Sequence, residues 1–199
     1  MLFRSRDGPL HAEANGDVLF WKGSLTRTGP GEVFSERVGG VRKGKNFLAV
    51  GCTMQFGAEQ ALQDSFAGLR IEMQRGAGAY DLRVQLGVRD GKPFLRIEDG
   101  RASGQLETIQ QNLEVPGFDA RGVQHLELRV VPRGDAQSRA FALQASWNGI
   151  PLHTHDLKTL TANTTTELKT MLFVGGGKGS NVDVKFDDYR LERRKDATK

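Results

Sequence analysis

A chain of 199 residues with 38% hydrophobic and 26% charged residues and a formal net charge of only +4 has the apolar content and the length to bury a core. That excludes a disordered tail, and the length suits one domain over residues 1–199. The 25 glycines follow no fixed period, which excludes collagen and predicts many tight turns.

No apolar run approaches the roughly 18 residues of a membrane-spanning helix. Near the start, Leu2 and Phe3 are followed at once by Arg4, Arg6 and Asp7, which is not the long apolar segment of a secretory signal. The expectation is a piece of a larger secreted or cell-surface protein, with a cytoplasmic protein as the alternative. Basic residues alternate with acids until Arg193, Arg194 and Lys195, a solvated terminus rather than a nucleic-acid site.

In chain order, the segments DVLFWKGSL and FLAVGCTMQFG are strand-like in length and composition. Cys52 lies in the second and is expected to be a buried thiol acting as a small hydrophobe. AEQALQDSF has room for two helical turns. From FAGLRIEMQ onward the apolar period is two: Leu69, Ile71 and Met73 alternate with Arg70, Glu72 and Gln74, the mark of a half-buried strand. Leu82, Val84, Leu86 and Val88 repeat it before Asp90-Gly91, and Leu95 and Ile97 after it, so the dipeptide suits a primed hairpin turn. QLETIQQNL has near-helical spacing. HLELRVV is a strand, and FALQASW, Asn148-Gly149 and IPLHTHDL form a second hairpin with Trp147 on the core face. LKTMLFVGG and VDVKFDDYRLERR close the chain, and Asp187-Asp188 between Phe186 and Tyr189 predicts a bulge. Eight or more strands with little helix predict an all-β, antiparallel two-sheet sandwich or jelly roll.

The order HLELRVV, SWNGIPL, MLFVGGG, VDVKFDDYRLER resembles the concanavalin A-like lectin/glucanase superfamily, especially its laminin-G-like members. The resemblance covers residues 120 to 194 and implies a sandwich that often holds a glycan and sometimes calcium. In such relatives the acid before the aromatic of the last strand can join a calcium site, and Asp188 matches that position. One matched carboxylate supplies too few oxygens to establish the site. The equal alternative is that the Asp carboxylates bond backbone amides at the bulge.

Catalytic patterns of this superfamily fail on inspection. The three-acid Glu-x-Asp-x-x-Glu strand of its glucanases is absent. The alginate-lyase branch implies an Arg-x-Glu strand, a Gln-x-His strand and a Tyr in the terminal strand. Arg70-Ile71-Glu72 matches the first, but Gln124-His125 is contiguous and points its side chains to opposite faces. The final strand also resembles that of 3-keto-disaccharide hydrolases, whose other characteristic segments are missing.

Polar strand faces carry the candidate ligand residues Arg70, Glu72, Arg83, Gln85, Arg96 and Arg129, because Arg forks suit carboxylated sugars. Cross-strand Arg/Glu pairs are also the ordinary way to solvate an antiparallel sheet, and that reading outweighs a ligand site. Trp21 beside Lys22-Gly23 is the candidate sugar platform. His153 and His155 share a strand face as metal ligands might, although an exposed polar strand is preferred. Asn163-Thr164-Thr165 fits a glycosylation acceptor.

The expected function is a non-catalytic carbohydrate-binding or adhesion module with a poly- or oligosaccharide partner, no nucleic acid and no membrane span. A glycan-active enzyme of the same fold, a hydrolase of 3-keto-disaccharides ahead of a polysaccharide lyase, is one alternative. A structural protein-binding module is the other. The sequence does not determine the oligomeric state.

Overall fold

A computed structural model describes residues 10–15, 18–24, 31–35, 47–74, 80–100, 106–133, 140–161, 167–176 and 181–193. The described secondary structure is all β, in two antiparallel sheets, with the strands numbered in chain order. The seven-stranded sheet runs β1 (Leu10–Asn15), β2 (Val18–Ser24), β13 (Asn181–Arg193), β4 (Phe47–Phe56), β9 (Gln124–Arg133), β10 (Ala140–Trp147), β11 (Ile150–Thr161). The six-stranded sheet runs β3 (Gly31–Ser35), β12 (Glu167–Gly176), β5 (Ser65–Gln74), β6 (Tyr80–Arg89), β7 (Lys92–Gly100), β8 (Leu106–Asn112). The expected sandwich is therefore the observed one.

Alternation along each strand sends one set of side chains between the sheets. Val50, Cys52 and Met54 on β4 and Leu126, Leu128 and Val130 on β9 meet Leu69, Ile71, Val84, Leu86, Leu95 and Ile97 in one buried cluster. Trp147 is fully buried there, with its indole N–H donating to Gln124 Oε1 at 2.7 Å and its ring edge-on to Phe118. Both predicted hairpins have left-handed tips, with φ of 50° and 72° at Asp90-Gly91 and 50° and 80° at Asn148-Gly149. QLETIQQNL is not helical: Leu106–Asn112 is the edge strand β8, with Ile109 packed on the core. Its apolar residues are too few to separate the two periods, and pairing with β7 decides between them.

The predicted bulge is present. Pairing of β13 with β4 breaks between Asp187 and Arg190, and Asp188 adopts φ 48°. The Asp188 N–H donates to Asp187 Oδ1 at 2.9 Å, so the carboxylate-to-amide reading of this Asp pair holds for Asp187.

Candidate functional site

The six-stranded sheet decides which candidates meet. On its outer face, register sets Met171, Arg70, Gln85, Arg96 and Gln110 in one row across β12, β5, β6, β7 and β8. The next row is Lys169, Glu72, Arg83, Glu98 and Thr108. The ion pairs run through both rows as a chain. Arg70 pairs with Glu72, Glu72 accepts from Arg83 Nε at 3.1 Å, Arg83 Nη1 reaches Glu98 at 3.3 Å, and Arg96 Nη2 reaches Glu98 at 2.5 Å. In this chain of ion pairs three guanidinium groups share two carboxylates.

The expected cross-strand pairing is realised, but the expected solvation is not. Arg70 and Glu72 are each 5% exposed and Gln85 is 2% exposed, against side-chain exposures of 22% and 32% for Arg83 and Arg96. Buried charges persist in a folded protein only when paired and hydrogen-bonded, so the deep members hold the shallow forks in place. Arg96 Nε is buried without a hydrogen-bond partner among the described residues. Thr108, Gln110 and Asn112 stand exposed on β8 beside these forks. Sequence reading missed them because β8 looked helical.

A second feature of the face is built on glycines inside strands. Phe173, Gly68, Gly87 and Phe94 form the adjoining row. A Cβ on Gly87 would sit 2.1 Å from Ala67 O, and one on Gly68 would sit 2.2 Å from Leu86 O. Here the backbones approach too closely for any side chain. The rings of Phe66 and Phe94 lie against Phe173 at centroid distances of 6.1 and 6.2 Å, and Arg89 stacks 4.9 and 5.0 Å from Phe66 and Phe94. The Arg-rich patch is thus bounded by a buried aromatic cluster.

Other candidates fall elsewhere. Arg129 is on β9 of the other sheet, where it pairs with Glu127, so it does not join Arg70, Arg83 and Arg96. That bond raises its already high pKa. Asp188 is exposed on the outer face of the same seven-stranded sheet. Among the described residues no group of three or more His, Cys, Asp or Glu is placed to hold a metal. Trp21 lies in β2, opposite Val184 in register; its side chain, like Asn163-Thr164-Thr165, lies outside the described residues.

His153 and His155 share a face as expected, but that face points inward. His155 is 9% exposed and its Nε2 lies 3.1 Å from Asp99 Oδ2, while His153 Nδ1 lies 2.9 Å from Gln111 Nε2. These contacts fasten the edge strand β11 to β7 and β8, replacing the expected exposed strand. The register shift between Ala145 and Ser146 in the β10–β11 ladder breaks simple alternation there.

The lyase-like elements also sort differently from the sequence expectation. Gln124 is buried under Trp147, and His125 is exposed on the other sheet. The glutamine beside Arg70 is Gln85, and the residue two further on is Gly87. The Tyr189 hydroxyl, on the terminal strand, bonds to Thr170 in the interior.

No protein-family model matches the chain, and no curated protein does. Solved structures do resemble it. A glycoside hydrolase family 16 endo-glucanase from Bacteroides ovatus superposes with a TM-score of 0.59 at 12% identity, over 92% of this chain and 84% of that one. An alginate lyase from Pseudomonas aeruginosa gives 0.56 at 15% identity, over 92% and 86%. A protein of unknown function from Saccharomyces cerevisiae gives 0.56 at 13% identity, over 97% of each chain. With two antiparallel sheets and these neighbours, the chain has the concanavalin A-like jelly-roll fold.

Proposed function

We propose that the chain is a non-catalytic carbohydrate-binding module that takes an acidic glycan on the outer face of its six-stranded sheet. The observation that carries this reading is the Arg70–Glu72–Arg83–Glu98–Arg96 chain, whose two shallow guanidinium forks are held by buried partners. Arg83 and Arg96 would grip sugar carboxylates, with Thr108, Gln110 and Asn112 beside them for hydroxyls. Arg70, Glu72 and Gln85 are positioning residues, too buried to touch a polymer. Gly87 stands two residues after Gln85, where the lyase-like pattern expects a histidine, and its close backbone contacts leave no space for a base. Glycan-active neighbours of the same fold support a carbohydrate partner, and an extracellular setting fits that partner.

Titration calorimetry with a uronate oligosaccharide and a neutral glucan oligosaccharide tests the reading. Saturable uronate binding that is lost in Arg96→Ala with folding retained is expected. Absence of uronate binding overturns it, and so does turnover of either sugar, which would favour the enzymatic alternative. Light scattering that shows self-association with no glycan binding would favour a structural module.

A further inference from the structure

We infer that the outer face of the seven-stranded sheet holds a second, separate binding trough along β4, suited to a neutral hydroxyl-rich oligosaccharide. β4 is the central strand of that sheet, and its outward residues Ala49, Gly51 and Thr53 are small. The neighbouring strands raise long polar side chains on both sides. In register, Ala49 lies between Glu192 and Arg129, Gly51 between Arg190 and Glu127, and Thr53 between Asp187 and His125. Small residues between tall rows make a trough. A cavity of about 560 Å³ is lined by Ala49, Gly51, His125, Glu127, Asp188 and Arg190, among others. That is the size of an ordinary small-ligand site. A smaller one of about 220 Å³ continues along Thr53 and Gln55 to Lys185. Asp188 lines both.

The bulge explains why Asp188 is there. The one extra residue in β13 breaks the alternation, and the left-handed φ of 48° at a non-glycine residue leaves the Asp188 side chain exposed beside the trough. The opposite wall is held by the hairpin tip: Asn148 N–H donates to His125 O and His125 N–H to Asn148 Oδ1, both at 2.7 Å. Such a site is preorganised before a ligand arrives.

Charge selects the ligand class. Along each wall opposite charges pair on the same strand, Arg129 with Glu127, Arg190 with Glu192, and Lys185 with Asp187, and Asp188 adds one further carboxylate at the bulge. A polyanion would meet the carboxylates of Glu127, Asp187, Asp188 and Glu192, and a polycation would meet Arg129, Lys185 and Arg190. A neutral chain of hydroxyls both donates to the carboxylates and accepts from the guanidinium groups, without displacing an ion pair. This trough is independent of the acidic-glycan face and stands if that reading fails.

Chemical-shift mapping by heteronuclear NMR, titrating the full chain with cellotetraose, tests it. Saturable shifts confined to β4, β9 and the Asp187–Arg190 segment are expected. Asp188→Gly removes the carboxylate while suiting the left-handed backbone, and should weaken binding by about tenfold or more. Thr53→Trp, which fills the trough, is the second variant and should abolish it. Arg96→Ala, on the opposite sheet, should leave it unchanged. Absence of saturable shifts, shifts on β5 to β8, binding of oligolysine in preference to the neutral sugar, or wild-type affinity in folded Asp188→Gly and Thr53→Trp would each overturn the inference.

Discussion

Replacing Glu72 by Gln separates a buried ion-pair chain from a surface one within the same fold. Glu72 and Arg70 are each 5% exposed, and Glu72 also accepts from Arg83 at 3.1 Å. At an effective dielectric of about 20, opposite charges about 4 Å apart attract by roughly 4 kcal/mol. Two such contacts are opposed by the desolvation of three charges. The amide keeps the shape but leaves two guanidinium groups facing each other across a neutral group. Breaking a buried pair costs about 3–5 kcal/mol, and Arg83 retains Glu98, so about 3 kcal/mol is expected.

Glu127→Gln is the internal control. It has the same two-residue spacing to its arginine, but the side chains of Arg129 and Glu127 are 37% and 23% exposed, and exposed pairs contribute about 0.2–1 kcal/mol. For a chain of this size 1 kcal/mol moves the midpoint by about 2–4 °C. Calorimetric melting should therefore fall by about 6–12 °C for Glu72→Gln and by no more than about 4 °C for Glu127→Gln. Equal shifts in the two variants would refute the claim that the six-stranded face holds its charges under desolvation.

Gly87→Ala should cost about 1–3 kcal/mol in urea unfolding, since its Cβ would lie 2.1 Å from Ala67 O and 2.8 Å from Gly68 Cα; unchanged stability would remove the close-approach argument. His153 contributes an acid sensitivity. Burial, then the charge of His155, lowers its pKa from 6.5, so its share of stability is present above about pH 6.5 and lost as pH falls through the lower folded value. Urea midpoints at pH 8 and pH 5 should differ less in His153→Gln than in wild type, and an equal difference would count against the assignment. Burial pushes the Cys52 thiol far above its usual range, so an aromatic disulfide reagent should label it only on unfolding; labelling of the native protein at the rate of a free thiol would contradict this.

The face that carries the proposed glycan site was half legible in the sequence. The period-two runs marked Arg70, Glu72, Arg83, Gln85 and Arg96 as sharing an outward phase, and each strand's own alternation suffices for that. Nothing in it says which strands are neighbours. Pairing of β5, β6, β7 and β8 joined those residues, and pairing of β9 with β4 and β10 sent Arg129 to the other sheet. Thr108, Gln110 and Asn112 were hidden because a seven-residue edge strand has too few apolar positions to declare its period.

By itself the sequence determined the elements whose cause is local: the alternating strands, the two left-handed turns at Asp90-Gly91 and Asn148-Gly149, the bulge at Asp187-Asp188, and the buried Cys52 and Trp147. Tertiary structure alone decided everything that depends on cross-strand register and on the packing of one sheet against the other. It turned His153 and His155 inward to Gln111 and Asp99, and it placed Gly68 against Gly87 beneath the phenylalanines. It also took Arg70 and Glu72 out of water. The physical reason is that side-chain phase is a property of one strand, whereas burial and charge pairing are properties of the strands beside and across from it.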